Sequence, residues 1–472
     1  MNFLDLINEF FGIFVSYLAP ILFYSINGFP LIVLVLLSGG LIFTFYFNFI
    51  NIRGFKHAID IVKGKFDNPN DTGQISHFQA LTSALSATIG LGNIAGVAVA
   101  VSLGGPGAVF WMVFIAFFSM SAKFVSCTLG QLYRVVNDDG SVSGGPMYYL
   151  DKGLKERGFG FLGKCLGSMY AVFIIGGAFG GGNMFQANQS YKLFGELTGI
   201  PDYLYGIILA ILVGTVIVGG IKRIGQTTEK IVPFMVVLYV GASLFIIITN
   251  INKLPGVLSS IINQAFVPDA AFGGFIGVLV TGIKRAVFSN EGGVGSASIA
   301  HSAAKTDEPV REGIVAMIGP FIDTIVVCFM TASVILITKD INPLYKVGGG
   351  INGAELTSAA FGSVISWFPY ILSIVVFLFS FSTMISWYYY GDKGWKYLFG
   401  SSSIKVYQGM YLSCIVIGSV ASLDNVIAFS DMMILSCGFP NIIGCLFLLP
   451  LLKTQLDNYW NRYKSNQFKT YK

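Results

Sequence analysis

Long apolar runs separated by short polar stretches recur along the chain near 29–50, 79–103, 106–134, 165–194, 203–221, 229–249, 272–301, 310–337, 360–390, 404–421 and 425–453. A helix needs roughly 17–25 apolar residues to cross a bilayer, so the pattern predicts about eleven transmembrane helices. Two runs are interrupted inside the span by glycine-rich polar knots, Ser86-Ala87-Thr88-Ile89-Gly90-Leu91-Gly92-Asn93 and Ser289-Asn290-Glu291-Gly292-Gly293-Val294-Gly295-Ser296. In lipid every backbone N–H and C=O must find a partner, so a helix unwinds only where a solute, an ion or buried protein replaces the lost bonds. Broken spans in matching places of two halves point to a transporter's binding site.

The spacing of the knots organises the rest. After one leading helix, the other ten spans divide into two sets of five, spans 2–6 and 7–11, each opening on a broken helix. Five is odd, so the second set starts from the opposite side of the bilayer, the inverted-repeat arrangement with its site near the midplane. The expected fold is an all-α membrane protein. Residues 1–74 hold an N-terminal interfacial segment and the first span. The ten-helix core covers 75–453, with repeat one at 75–250 and repeat two at 270–453, and a basic cytoplasmic tail follows at 454–472. Residues 1–26 carry Asp5 and Glu9 and lack both a basic n-region and a small-residue cleavage site. They are expected to form an interfacial helix rather than a removable signal peptide.

Composition fixes the solvent: 54% of the 472 residues are hydrophobic and 11% charged, against roughly 25% charged in a soluble domain. Mean hydropathy is +0.71. The net charge of +5 matters less than its placement. Alternate loops carry Arg53, Lys56, Lys63 and Lys65, then Lys152, Lys155, Arg157 and Lys164, then Lys222, Arg223 and Lys230, and so on to the tail. The other set holds only Lys192, Lys253, Lys339 and Lys346. This asymmetry predicts a multi-pass protein of the cell membrane with its C-terminus cytoplasmic and its N-terminus outside. The lipid bilayer is an expected partner and nucleic acid is not. The six cysteines lie singly in or beside apolar spans without metal-ligand spacing and read as packing residues.

In the first knot, Gly90 and Gly92 let the chain leave helical geometry, and Thr88 and Asn93 supply side-chain oxygens beside them. N–H groups exposed where the helix restarts suit a carboxylate, and unwound carbonyls suit Na⁺. Packing of small residues between helices is the competing reading of these glycines. The second knot adds Asn290 and Glu291. An ionisable group inside a span costs roughly 2.5–3.5 kcal/mol and is a functional candidate by default. Glu291 can neutralise an ammonium or Na⁺, accept a proton, or pair with Lys284 or Arg285. A third cluster, Gly180 to Gln189, carries Asn183, Gln186 and Asn188, which line either the cavity or an outer vestibule. A fourth, Ser380 to Trp387, places hydroxyls mid-span, for ion coordination or for back-bonding to their own helix. The histidines His57, His77 and His301 are scattered along the chain, which argues against a membrane enzyme.

The ordered motifs Phe78-Gln79-Ala80-Leu81, Gly92-Asn93-Ile94-Ala95-Gly96, Gly104-Gly105-Pro106-Gly107, Gly144-Gly145-Pro146-Met147-Tyr148-Tyr149, Phe288-Ser289-Asn290-Glu291, Ile299-Ala300-His301, Phe321-Ile322-Asp323-Thr324 and Ser382-Thr383-Met384-Ile385-Ser386-Trp387 make the chain resemble the alanine or glycine:cation symporters, the sodium:alanine symporters, whose fold is LeuT-like. That resemblance implies Na⁺-coupled uptake of a small neutral amino acid by alternating access, with no cofactor beyond the coupling ion. It puts the solute between spans 2 and 7. The substrate set is then Thr88, Gly90, Gly92, Asn93, Asn183, Gln186, Phe288, Asn290 and Met384. A sodium site would join the Ser86 and Ile89 carbonyls to Ser382 and Thr383, with Asn93 at a second site where one is present. Glu291 and Asp323 are gating or structural candidates. A proton-coupled carrier of the same architecture would use one of those two carboxyls as its switch. Val113, Ser126, Gly293 and Val294 depart from the pattern expected of relatives.

Overall fold

The computed structural model describes residues 3–26, 28–267, 273–346 and 353–471. The sequence-predicted starts of repeat two at 270 and of its first span at 272 lie outside the described residues, as does the last residue of the tail. Among the described residues six helices are long and apolar enough to cross a membrane: Leu91–Leu132, Gly160–Thr198, Gly220–Thr249, Pro309–Ile337, Phe368–Phe399 and Leu423–Lys464. Leu31–Tyr46 and Asp202–Ile217 are shorter apolar helices. Two short antiparallel hairpins, Ser25–Ile26 with Phe29–Pro30 and Val135–Val136 with Val142–Ser143, lie between helices.

The helix α1 (His77–Thr88) starts from a reciprocal cap in which Ser76 and Gln79 satisfy each other's backbone N–H. It ends where Gly90 turns extended at φ −124°, ψ −154°, and Leu91–Asn93 form one tight turn. The chain then enters α2 (Ala95–Leu132), which changes direction at Gly105. There φ is 62° and ψ −168°, a region that only glycine occupies readily. Pro106 follows directly. The apolar runs predict one span ending at 103 and another starting at 106, and the chain kinks there instead of forming a loop.

Helix α3 (Gly160–Thr198) is widened by π turns at Gly180–Met184 and Tyr191–Gly195. Helix α4 (Gly274–Asn290) stops at Glu291, which is left-handed at φ 55°, and Gly293 and Gly295 at φ 80° and 87° carry the chain into the short α5 (Ala297–His301). Both knots are therefore breaks in helix. Helix α6 (Pro309–Ile337) passes Pro320 into a π segment, Phe321–Cys328. A proline cannot donate into the ladder and its ring crowds the preceding turn, and the π register absorbs the mismatch. The remaining long helices are α7 (Phe368–Phe399), α8 (Ile404–Val420), α9 (Leu423–Ser436) and α10 (Gly438–Lys464). Residues 454–464, expected as tail, continue α10, and Leu456 and Tyr459 bury there.

The arms of the two breaks pack on each other, α2 against α4, while α3 and α7 pack together and α1 lies against both Gly220–Thr249 and α7. The N-terminal helix Phe3–Leu22 rests on α9. This packing places both knots at the centre of the helical layer, where Gly90 to Ile94 and Asn290 to Ser296 are all buried.

Candidate functional site

The last turn of α1 is laced to α7. Thr383 Oγ1 donates to the Ser86 carbonyl at 2.8 Å, Ser86 Oγ donates to the Ser382 carbonyl at 2.6 Å, and Trp387 Nε1 donates to the Ala87 carbonyl at 3.2 Å. Gly90 sits against this seam: a Cβ there would strike Thr383 Oγ1 and come within 3.1 Å of Gln186 Oε1. Ser86, Ser382 and Thr383 thus meet across two helices, and they offer a carbonyl and hydroxyls, hard neutral oxygens of the type that hard cations take. Ser382 Oγ also back-bonds to the Phe379 carbonyl at 3.0 Å.

The unwound backbone after α1 is satisfied by side chains, as the hydrogen-bond account of a broken span requires. Leu91 N–H donates to Gln186 Oε1 at 3.1 Å, and Gln186 Nε2 donates to the Gly181 carbonyl at 2.8 Å. Gly90 N–H reaches Asn93 Oδ1 at 3.3 Å, and Asn93 Nδ2 donates to the Asp323 carbonyl at 2.7 Å. Thr331 and Thr357 donate to the carbonyls of Asn93 and Ile94 at 2.9 and 3.1 Å. Gln186 follows the π turn of α3, Asp323 lies in the π segment of α6 and Thr331 follows it, where one extra residue per turn re-aims the side chains.

The second break closes on itself. Asn290 Oδ1 accepts from Gly292 N–H at 2.8 Å, and Ser296 Oγ donates to Glu291 Oε2. Glu291 Oε1 and Asn290 Nδ2 have no protein partner. Phe288 stands edge-on to Phe185, ring centroids 5.1 Å apart, and close enough to Gly92 that a Cβ there would lie 3.4 Å from its Cδ1. Asp323 Oδ1 accepts from Thr324 Oγ1 at 2.7 Å, its Oδ2 lacks a hydrogen-bond partner, and the Lys123 ammonium lies 3.9 Å from it.

The structure thus brings Ser86, Gly90, Asn93, Gln186, Ser382, Thr383 and Asp323 into one connected set, with Gly92 facing Phe288. Ile89 Nα–H still donates to Leu85 at 2.5 Å. Thr88 back-bonds to the Ala84 and Leu85 carbonyls of its own helix. Asn183 and Met384 meet at Tyr411 of α8: Asn183 Nδ2 donates to the Tyr411 carbonyl and the Tyr411 hydroxyl to the Met384 carbonyl, each at 2.7 Å. Neither Lys284 nor Arg285 pairs with Glu291. Lys284 lies over the Phe23 ring at 4.4 Å, and Arg285 forms a buried ion pair with Asp431 of α9. The cause is geometric: Lys284 and Arg285 sit on helical turns before the break, and the left-handed Glu291 turns away from them.

Sequence reasoning missed the Arg285–Asp431 pair. Its one signal was an ionisable residue in each of two apolar spans, 146 positions apart. It also treated the histidines as scattered, whereas His77 and His301 both bond Glu312.

The sequence profile of the sodium:alanine symporter family matches residues 15–472. Among curated proteins, the chain is 41% identical to the sodium/alanine symporter AgcS of Methanococcus maripaludis, over 94% of this chain and 98% of that one. It is 37% identical to the probable sodium/glutamine symporter GlnT of Bacillus subtilis, over 93% and 89%. To the putative sodium/proton-dependent alanine carrier YrbD of the same organism it is 38% identical, over 78% and 76%. Among solved structures, MhsT in complex with L-phenylalanine superposes with a TM-score of 0.56 at 15% identity, covering 80% of this chain and 99% of that one. At that identity the likeness speaks for the LeuT-like fold alone.

Proposed function

This chain belongs to the sodium:alanine symporter family, and from that premise we propose that it carries a small neutral amino acid, alanine or glycine, into the cell together with Na⁺ by alternating access. It is a multi-pass membrane transporter and not an enzyme. The observation that carries the proposal is the seam between the first break and α7, where Thr383 and Ser86 meet beside Gly90. Na⁺ sits at the Ser86 carbonyl, the Thr383 hydroxyl turns its proton away to offer its oxygen, and the Ile89 carbonyl and the Ser382 hydroxyl complete the site, which fixes α7 on the end of α1. The amino acid lies between the two breaks, against Thr88, Gly90, Gly92, Asn93, Gln186, Phe288 and Asn290, with Asn183 and Met384 behind them through Tyr411. Glu291 and Asp323 hold the two sides together.

The energetics suffice. One Na⁺ moving down a 100 mV potential releases roughly 2.3 kcal/mol in addition to its concentration term. Coupling needs ion and solute to favour the same conformer, since a ligand with equal affinity for two states shifts neither. The topology that fits this cycle is one leading span and two five-helix repeats, 75–250 and 270–453, with the N-terminus outside and the C-terminus in the cytoplasm.

A proton-coupled reading is favoured by one observation, the buried carboxyl oxygens of Glu291 and Asp323 that lack a hydrogen bond. Uptake of radiolabelled alanine into proteoliposomes separates the two. Accumulation that follows an inward Na⁺ gradient and not a pH gradient supports sodium symport, and the reverse result overturns it. Unlabelled glycine, serine and glutamine as competitors fix the solute.

A further inference from the structure

One end of the two breaks is fastened in layers. Gln74 and Ile75 N–H donate to the Ala303 carbonyl at 2.8 and 3.2 Å, Lys305 N–H to Ile75 at 2.8 Å and Thr306 N–H to Thr72 at 3.1 Å. These bonds join the segment that leads into α1 to the segment that leaves α5. Arg134, just beyond α2, donates to the carbonyls of Thr72, Ser302, Ala304 and Thr306 at 2.7 to 3.2 Å and so grips both. Deeper in, the fully buried Glu312 accepts from Nδ1 of His77, the first residue of α1, and from Nδ1 of His301, the last residue of α5, the latter at 2.5 Å.

A carboxylate only accepts, so both Nδ1 atoms carry the proton, and in the neutral form of either ring the lone pair sits on Nε2. His77 Nε2 is buried without a partner. One carboxylate with two neutral imidazoles has a charge of −1, and one added proton brings it to zero.

We infer that His77, Glu312 and His301 form a proton-binding gate, in which a proton taken from the adjoining aqueous phase onto the free imidazole lone pair clamps α1 to α5, and its release lets them part. The inference rests on the carrier reading, because this end must open once in each cycle. Protonation turns an N–H···O⁻ bond from a neutral donor into an ion pair, adding a Coulomb attraction that is strong where water is excluded. Acid therefore holds this end shut and alkali loosens it.

The neighbouring charges are committed elsewhere. Arg134 is spent on carbonyls, and Arg311, beside Glu312, donates to the Phe66 carbonyl at 3.2 Å and lies 4.0 Å from Asp71. Glu229 of Gly220–Thr249 accepts from Gln79 at 3.0 Å, Lys393 of α7 donates to the Val142 carbonyl at 2.9 Å, and Arg462 of α10 pairs with Glu308 at 2.6 Å. Asp307 accepts from Thr72 N–H at 3.3 Å, and Cys127 of α2 is buried nearby. The remaining histidine, His57 of the short helix Phe55–Val62, is held on the Tyr459 hydroxyl at 2.7 Å and its pKa is lowered to about 4, by burial first and then by Arg311.

Hydrogen exchange of the full-length protein in nanodiscs, corrected for intrinsic rates, tests this directly on peptides spanning 72–77 and 301–306. Exchange in the wild type is expected to be about fivefold slower at pH 6 than at pH 8. In His77→Asn/His301→Asn, whose amide N–H groups take the donor places of Nδ1 and do not titrate, that difference disappears. His77→Asn alone serves if the double variant does not fold, and removes most of it. Wild-type exchange that does not vary with pH, or the same variation in the asparagine variants, overturns the gate. Alanine uptake is measured beside it: a protein with pH-dependent exchange and no gradient-driven uptake at any pH refutes the carrier reading and leaves the gate standing.

Discussion

Gly90 and Thr383 show what a single atom decides at the centre of the protein. The space beside Gly90 is filled by the Thr383 hydroxyl and the Gln186 amide, so Gly90→Ala is expected to part α1 from α7 and to abolish solute uptake. Gly96→Ala is the matched control, since a Cβ there meets nothing within 4 Å and uptake is retained. Thr383→Val keeps the shape and removes the donor to the Ser86 carbonyl. An unsatisfied buried carbonyl costs about 1–3 kcal/mol. Lower thermal stability together with a raised sodium requirement is the expected result, and an unchanged sodium dependence of uptake would remove Thr383 from the ion site.

At the scale of elements, the breaks and bends depend on backbone that few residues tolerate. Gly105→Ala forces a side chain into a conformation costing about 1–3 kcal/mol, and the fall should appear in the unfolding midpoint of the detergent-solubilised protein. The ion pair between α4 and α9 is a second test. Arg285→Ala leaves Asp431 buried and unpaired, a loss of about 3–5 kcal/mol, whereas the apolar double change Arg285→Met/Asp431→Leu should recover most of it. Double-variant stability no better than that of Arg285→Ala would assign the arginine a packing role, for it also lies over the Phe288 ring at 5.1 Å.

For the molecule as a whole, acid is expected to act at two depths. His57 binds its proton less readily folded than unfolded, its pKa falling from 6.5 to about 4. The unfolded chain therefore holds more protons in that window, so His57 contributes its full stability above pH 6.5 and loses it progressively as pH drops toward 4. The unfolding midpoint should fall on acidification over that range, and by less in His57→Gln. The gate at Glu312 acts in the opposite sense, since its protonation tightens the closed end.

The apolar runs, the two knots and the alternation of basic loops were legible along the chain because each is local: a bilayer's thickness sets the run length, and the cost of unpaired backbone in lipid marks where a helix must break. Hence α1 and α4 end inside the expected knots, at Ile89-Gly90 and at Glu291. Ser86, Ser382 and Thr383 could be named together through motif resemblance, but their hydrogen bonds belong to two helices almost 300 positions apart. Only the tertiary structure decided that Asn183 turns to Tyr411, that Arg285 pairs with Asp431 and not with Glu291, and that two distant histidines share Glu312. Hydropathy records how deeply a residue sits, whereas the partner a buried polar atom finds depends on the rotation of helices about their axes, which here shifts at π turns and kinks that no apolar period encodes.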